Sequence, residues 1–308
     1  MKPFPRTRIG GHVEAALRSG APVVALESTV LTHGLPRPQN LAAGERLEAV
    51  VREAGAVPAT VGVLRGEVVV GLSPAELARL AQAEGADKAS LWNLAAVVAG
   101  GADAGTTVAT TLWAAHVAGI DVFATGGIGG VHDAPFDESA DLAALARYPI
   151  VTVCAGPKSI LDASATLERL ETAGVPVVGY RSDRLAGFLV SLTDLKLPAR
   201  VDSANQVASL LRAQRELGLS SGVVLSNPVS DGMSQPEFAS LKERAEAELA
   251  NRGIRGRETT PFLLAELARL SGGRTVDVNT RLLEENARLA ARVAAAFRAG
   301  TPIAEAAS

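Results

Sequence analysis

Short runs of β-branched and aliphatic residues, each followed by a longer stretch with helical periodicity, recur along the whole chain. That alternation limits the fold more than any other feature. "PVVALEST" (22–29), "IDVFATGG" (120–127), "YPIVTVCAG" (148–156), "VPVVGY" (175–180) and "SGVVLSNP" (221–228) read as strands. Their apolar residues are continuous rather than alternating, the pattern of strands covered on both faces. Segments 41–55, 106–119, 159–174, 203–217, 234–252, 260–271 and 279–298 read as helices. Segment 73–85 opens with Ser73 as N-cap, Pro74 in the first turn and Glu76 three residues after the cap, a capping box. Segment 56–72 departs from the alternation and reads as a hairpin turning at Arg65-Gly66. A mostly parallel α/β sheet with helices on both faces and one early antiparallel hairpin is the expected fold. No linker and no internal repeat divides the chain, so residues 1–308 are expected to form one domain, with a short extension (1–20) and a tail (300–308).

Composition narrows the functions. Acidic residues outnumber basic ones 33 to 30, which argues against nucleic acid or an anionic membrane as the main partner while leaving room for a local phosphate pocket. The single cysteine, Cys154, excludes an intrachain disulfide and a zinc thiolate cluster. No run of eighteen apolar residues occurs, and "MKPFPRTRIGG" has no apolar signal core, so a soluble cytoplasmic protein is expected.

In open α/β sheets ligands bind beyond the carboxyl ends of the strands. Polar residues gather there: Glu27-Ser28-Thr29 and His33, "TGGIGGVH" ending on His132, Lys158, and Asn227-Pro228. Glu27 follows four apolar residues; half-buried, such a carboxyl has a raised pKa and serves as a general acid, although capping a helix or pairing with a lysine would also explain it. "GGIGG" (126–130) lacks the dinucleotide spacing, and "AGPKS" lacks that of a phosphate-binding loop. The glycines then serve either positive φ angles or close approach of backbone amides to a ligand. Asp133, Asp137 and Asp141 recur every fourth residue, but Pro135 separates the first. Asp137 and Asp141 are expected to share the start of a helix, either complementing its dipole or offering oxygen donors to Mg²⁺ or Mn²⁺. Lys158 lies between a strand and a helix and has two functional readings. It holds a phosphate at the helix N-terminus, or it attacks a sugar carbonyl. The second needs a neutral amine, and holding a lysine about three pKa units below its ordinary value costs about 4 kcal/mol. Burial beside Val153, Cys154 and Ile160, with Lys88 as a second cation, is the expected source.

Taken together, "VALESTVLTHGLPRPQN" (24–40), "GAVPATVGVLRG" (55–66), "TTVATT" (106–111), "VFATGGIGGVH" (122–132), "FDESADL" (136–142), "CAGPKSILD" (154–162), "GVPVVGY" (174–180), "ETTPFLL" (258–264) and "DVNTRLLEENA" (277–287) resemble the pseudouridine-5′-phosphate glycosidases, in that family's order over nearly the whole chain. The resemblance implies a three-layer α/β/α sandwich assembling as a homotrimer. It also implies reversible cleavage of pseudouridine 5′-phosphate to uracil and ribose 5-phosphate with a divalent metal, Mn²⁺. Residue by residue, it makes Lys158 the Schiff-base lysine on C1′ of the opened ribose and Glu27 the proton donor. Lys88, Val108, Ser139, Ala140 and Asp141 become substrate contacts, His132 and Asn279 pocket residues, and Asp137 the metal-holding residue. This chain departs in two places: Lys88 is followed by "ASLWNLA" where the family often carries Ser-Arg-Arg-Asp, and Pro157 replaces a small residue.

The chemistry is coherent. An ordinary glycoside leaves through an oxygen that an acid protonates, hence paired carboxylates. A C-glycoside offers no such lone pair, so the site needs an amine that forms an adduct at C1′ and an acid that supplies the proton. Two rivals share parts of this pattern. A Schiff-base aldolase would sit on an eightfold barrel, which the early hairpin disfavours. A sugar-phosphate sensor would need the pocket without the nucleophile.

Overall fold

The computed structural model describes residues 4–35, 37–132, 136–254 and 259–300, with residues 259–261 given by backbone alone. Its strands are β1 (Thr7–Ile9), β2 (Val23–Leu26), β3 (Val57–Leu64), β4 (Glu67–Val70), β5 (Asp87–Ala89), β6 (Ala104–Thr106), β7 (Val122–Ala124), β8 (Val151–Cys154), β9 (Val177–Tyr180), β10 (Ala199–Val201) and β11 (Val223–Ser226). They form one 11-stranded sheet in the order β1-β4-β3-β2-β7-β8-β11-β9-β10, with β6 joined to β3 and β5 to β6. Every pairing is parallel except β3 with β4 and β3 with β6. The sheet is open, with β1 and β10 at its ends, so the barrel of an aldolase is not formed.

Helices cover both faces. On one side lie α1 (Gly11–Arg18), α4 (Leu94–Ala99), α5 (Val108–Ala118), α6 (Ala140–Arg147) and α7 (Ala163–Thr172); on the other lie α2 (Gln39–Glu53), α8 (Ala204–Glu216), α9 (Gln235–Arg252), α10 (Thr259–Leu270) and α11 (Arg274–Ala299). The strands feed both layers by simple alternation. Val151 and Val153 of β8 join Leu47, Leu211 and Leu282, while Cys154 joins Leu112, Leu145 and Leu170 on the opposite face. This is the expected three-layer α/β/α sandwich. Helix α3 (Pro74–Gln82) and a π-helical turn (Val30–Gly34) close a third, smaller cluster around Leu31, Leu72 and Leu80.

The hairpin and the capping box lie where the sequence puts them. Arg65 and Gly66 turn β3 into β4 with φ of 49° and 74°, and Ser73 and Glu76 cap α3 reciprocally. Within the short extension, β1 pairs in parallel with β4, and Arg8 bonds Glu67 at 3.0 Å and Glu76 at 2.6 Å. Elsewhere the expectations need correction. The helix after Lys158 begins only at Ala163, because Asp162 caps it by accepting the Ala165 N–H at 2.9 Å. Asp137 and Asp141 do not share a helix face: Ser139 is the N-cap of α6, so Asp137 stays outside it and exposed. Asp133 and the tail 301–308 lie outside the described residues. Helix α11 starts five residues earlier than its periodicity suggests, and Asn279 is therefore inside it.

Candidate active site

Four parallel strands, β2, β7, β8 and β11, end at one edge of the sheet, and a polar residue stands just beyond each of them. Glu27 is next after β2, Thr125 after β7 and Asn227 after β11, while the turn after β8 leads to Lys158. Glu27 is part-buried and accepts a hydrogen bond from the Thr125 hydroxyl. Burial pushes its carboxyl above the ordinary range. The charges of Lys158 and Lys88 and the Thr125 bond oppose that rise, and nearby Asp141 adds to it. These four ionisable groups therefore sense one another.

Backbone contacts hold Lys158 in place. Gly156 takes φ +87°, and a Cβ there would stand 2.1 Å from the Ala186 carbonyl, so only glycine fits. The Lys158 N–H donates to the Ile128 carbonyl at 3.1 Å, Ile128 N–H to Gly156 at 3.1 Å, and Ala155 N–H to Gly126 at 2.9 Å. Ser159 then ties the turn to Gly187 and Leu189 at 2.8 and 3.1 Å. The turn and the glycine-rich stretch are thus zipped together. None of Gly126, Gly127, Gly129 and Gly130 has positive φ, so left-handed backbone is not why they are glycine. Close packing is: a Cβ on Gly129 would lie 2.2 Å from Ser139 Oγ, and one on Gly130 2.2 Å from Thr166 Oγ1. Cys154, four residues before Lys158, is fully buried and its thiol is pushed up to about 12, mainly by burial, so it offers no thiolate.

Asp141 is spent on backbone. One carboxylate oxygen accepts the Ala109 N–H at 3.0 Å and the other the Gly129 N–H at 2.8 Å, while Ser139 Oγ accepts the Asp141 N–H at 3.2 Å. This clamps the N-termini of α5 and α6 against the glycine-rich stretch. Val108 and Ala140 are the first residues of those two helices. Thr107 caps α5 without a side-chain bond, and its buried hydroxyl has no partner among the described residues.

Lys88 comes from β5. The residue is exposed, yet enough protein surrounds its ammonium to push the pKa down, and the Lys158 charge acts the same way. His33, in the π-helical turn, has its pKa lowered by burial and then by Lys88, which puts it on the same side of the site. His132 is part-buried and donates its N–H to the Asp137 carbonyl at 2.9 Å. Asn279 is part-buried on α11. Among the described residues no three His, Cys, Asp or Glu side chains stand close enough to hold a metal together. The exposed Asp137 carboxylate fits a divalent ion only as a single oxygen donor with water completing the shell, which hard cations of the Mg²⁺ and Mn²⁺ type accept. Thr125 and Asn286 lie in quoted stretches but were not singled out in the sequence; the fold brings the Thr125 hydroxyl to Glu27 and the buried Asn286 to the Thr125 carbonyl.

The family model for indigoidine synthase A like proteins matches residues 12–296. The chain belongs to that family. It is 58% identical over 276 residues to a pseudouridine-5′-phosphate glycosidase of Thermus thermophilus, covering 90% of this chain and 98% of that one. A pseudouridine-5′-phosphate glycosidase of Salinispora tropica is 51% identical, over 95% of this chain and 92% of its own. Among solved structures, the prealnumycin C-glycosynthase AlnA in complex with ribulose 5-phosphate superposes with a TM-score of 0.88 at 37% identity, over 95% of this chain and 97% of that one. An indigoidine synthase A-like protein of Thermotoga maritima gives 0.86 at 36% identity, over 95% and 96%. This chain is an enzyme of the same kind. Among the described residues no helix is long and apolar enough to cross a membrane.

Proposed function

We propose that this enzyme cleaves the C–C glycosidic bond of pseudouridine 5′-phosphate reversibly, giving uracil and ribose 5-phosphate. The observation that carries the reading is the asymmetry of the site: one part-buried carboxyl with a raised pKa, Glu27, faces two lysines, while the other nearby carboxylate, Asp141, is committed to two backbone N–H groups. Among the described residues, no second uncommitted carboxylate of the kind ordinary glycosidases pair stands beside Glu27. An acid and an amine are available. The names of the relatives and the pentose 5-phosphate bound by the C-glycosynthase support the same substrate class.

In this reading Lys158 Nζ bonds to C1′ as the C1′–O4′ bond opens, and Glu27 delivers its proton to the departing O4′. The protonated adduct nitrogen returns a proton to Glu27, and its lone pair then forms the iminium at C1′ as the C1′–C5 bond breaks and Glu27 gives that proton to C5 of uracil. Water hydrolyses the iminium, releasing ribose 5-phosphate and restoring the amine. Lys88 and the N-terminus of α5 at Val108 hold the phosphate, where a cation and orphan N–H groups both favour an anion. His132, Asn279 and the Ser139–Asp141 turn shape the remainder of the pocket. Asp137 would carry a hydrated Mn²⁺, whose chemistry is to supply positive charge at the exposed side of the site. The enzyme acts as a cytoplasmic homotrimer.

Chromatographic measurement of uracil released from pseudouridine 5′-phosphate, with Mn²⁺ and with a chelator, tests the reading. Uracil that depends on metal is the expected result. Folded, metal-supplied protein that releases none would exclude the reaction.

A further inference from the structure

Behind the acid and the amine lies a buried amide that this chemistry does not use. Asn286, in the middle of α11, is fully buried. Its Nδ2 donates to the Thr125 carbonyl at 2.9 Å and, at 3.4 Å, to that of Gly126. Its Oδ1 accepts from Asn227 Nδ2 at 2.9 Å. Two carbonyls on one side and an N–H donor on the other fix which end of the amide is oxygen.

Three strand ends converge on this side chain. Thr125 follows β7 and gives its hydroxyl to Glu27. Asn227 follows β11, and its own N–H reaches the carbonyl of Cys154, the last residue of β8, at 2.8 Å. The Gly126 carbonyl also accepts the Ala155 N–H, the first residue of the turn to Lys158. One side chain near the end of the sequence thus touches the support of both Glu27 and Lys158. Packing alone does not call for it, since neighbouring α11 positions meet the same sheet through Leu282, Ala287 and Ala290. A buried amide needs every partner in place, because a buried polar group left unpaired is costly. It therefore tolerates only one arrangement of these strand ends.

We propose that Asn286 is a positioning residue that, through the main chain of Thr125 and Gly126 and through Asn227, aligns the Thr125 hydroxyl on Glu27 and fixes the start of the Lys158 turn. The assignment rests on Glu27 and Lys158 being the reacting pair. Four groups face the Glu27 carboxyl: the Lys158 and Lys88 ammonium groups, the Asp141 carboxylate and the Thr125 hydroxyl. Only the last is under Asn286's direct control.

The test is a ¹³C NMR titration of the Glu27 carboxyl, its signal assigned by its loss in Glu27→Gln. It compares wild type, Asn286→Ala, Thr125→Val and the double variant. Losing the hydroxyl's bond to the carboxylate should raise the Glu27 midpoint in Thr125→Val. Asn286→Ala should raise it in the same direction, and the double variant should go no further than Thr125→Val alone. In turnover, Asn286→Ala should lower kcat for uracil release about tenfold or more with KM within about threefold, and carry the alkaline limb of the profile to higher pH. Asn286→Ala titrating as wild type, or a shift that adds in full to that of Thr125→Val, would overturn the proposal. Should Asn286→Ala not fold, Asn227→Ala removes only the outer partner: a smaller rise supports the proposal and none contradicts it. A wild type that releases no uracil but keeps the Glu27–Thr125–Asn286 coupling would sink the proposed reaction and leave the positioning role standing.

Discussion

The sheet edge at the ends of β2, β7, β8 and β11 and the rim formed by β5 with the stretch after it are built on opposite plans. At the edge, Glu27, Thr125, the Lys158 turn, Asn227 and Asn286 are joined by main-chain and buried side-chain hydrogen bonds. At the rim, Lys88 is exposed, and Trp92 has 81% of its surface open. In the proposed reaction the difference separates the tasks. Acid and amine need fixed mutual geometry and low water access, which backbone contacts supply. Charged groups that gather a phosphorylated, hydrated ligand work through longer-range attraction and tolerate exposure.

That contrast can be broken most severely at Lys158. Its structural ties run through its backbone, so Lys158→Ala should lose more than about a thousandfold in turnover while its melting temperature stays within about 2 °C of wild type. Substantial residual turnover would show that the edge does not hold the nucleophile. Asp141 tests the clamp beside it. Asp141→Ala strands two backbone N–H groups and should cost about 3 kcal/mol or more in urea unfolding, with Asp141→Asn recovering about half by keeping one acceptor. A loss below about 1 kcal/mol for the alanine variant would mean that the two helix termini are held by something else.

Glu27 gives a smaller, pH-dependent effect. Its folded pKa is raised by burial, so the folded protein binds that proton more tightly than the unfolded chain does. The stability this confers is complete below the ordinary carboxylate range and is lost as pH rises through the raised value. Glu27→Gln, neutral throughout, should match wild type at about pH 4 and exceed it increasingly at higher pH. Parallel stability curves at all pH values would contradict the burial argument.

Legibility in the sequence divides along the same line. The β3–β4 hairpin was legible, because Arg65-Gly66 interrupts two apolar runs with a turn glycine, and so was the start of α3, because its capping box is local. Glu27 and Lys158 stood out because each follows a continuous apolar strand. The three-residue strands β1, β5 and β6 are too short to carry a period, and β1 is recognisable only by its pairing with β4. The delay between Lys158 and α7 hinged on which polar residue capped the helix, and Asp162 does. The glycines between Thr125 and Val131 suggested unusual backbone, whereas they make room for Ser139 and Thr166, contacts distant in the chain. Asp141 finds its partners 12 and 32 residues away, and Asn286 finds Thr125 161 residues away. No local pattern encodes such pairs.

The most direct measurement is borohydride reduction during turnover of pseudouridine 5′-phosphate, followed by peptide mass spectrometry of wild type and Lys158→Ala. The account predicts a reduced ribose 5-phosphate adduct on Lys158 in wild type and none in the variant. An adduct on Lys88 instead, or sustained uracil release with no adduct on any lysine, would contradict it.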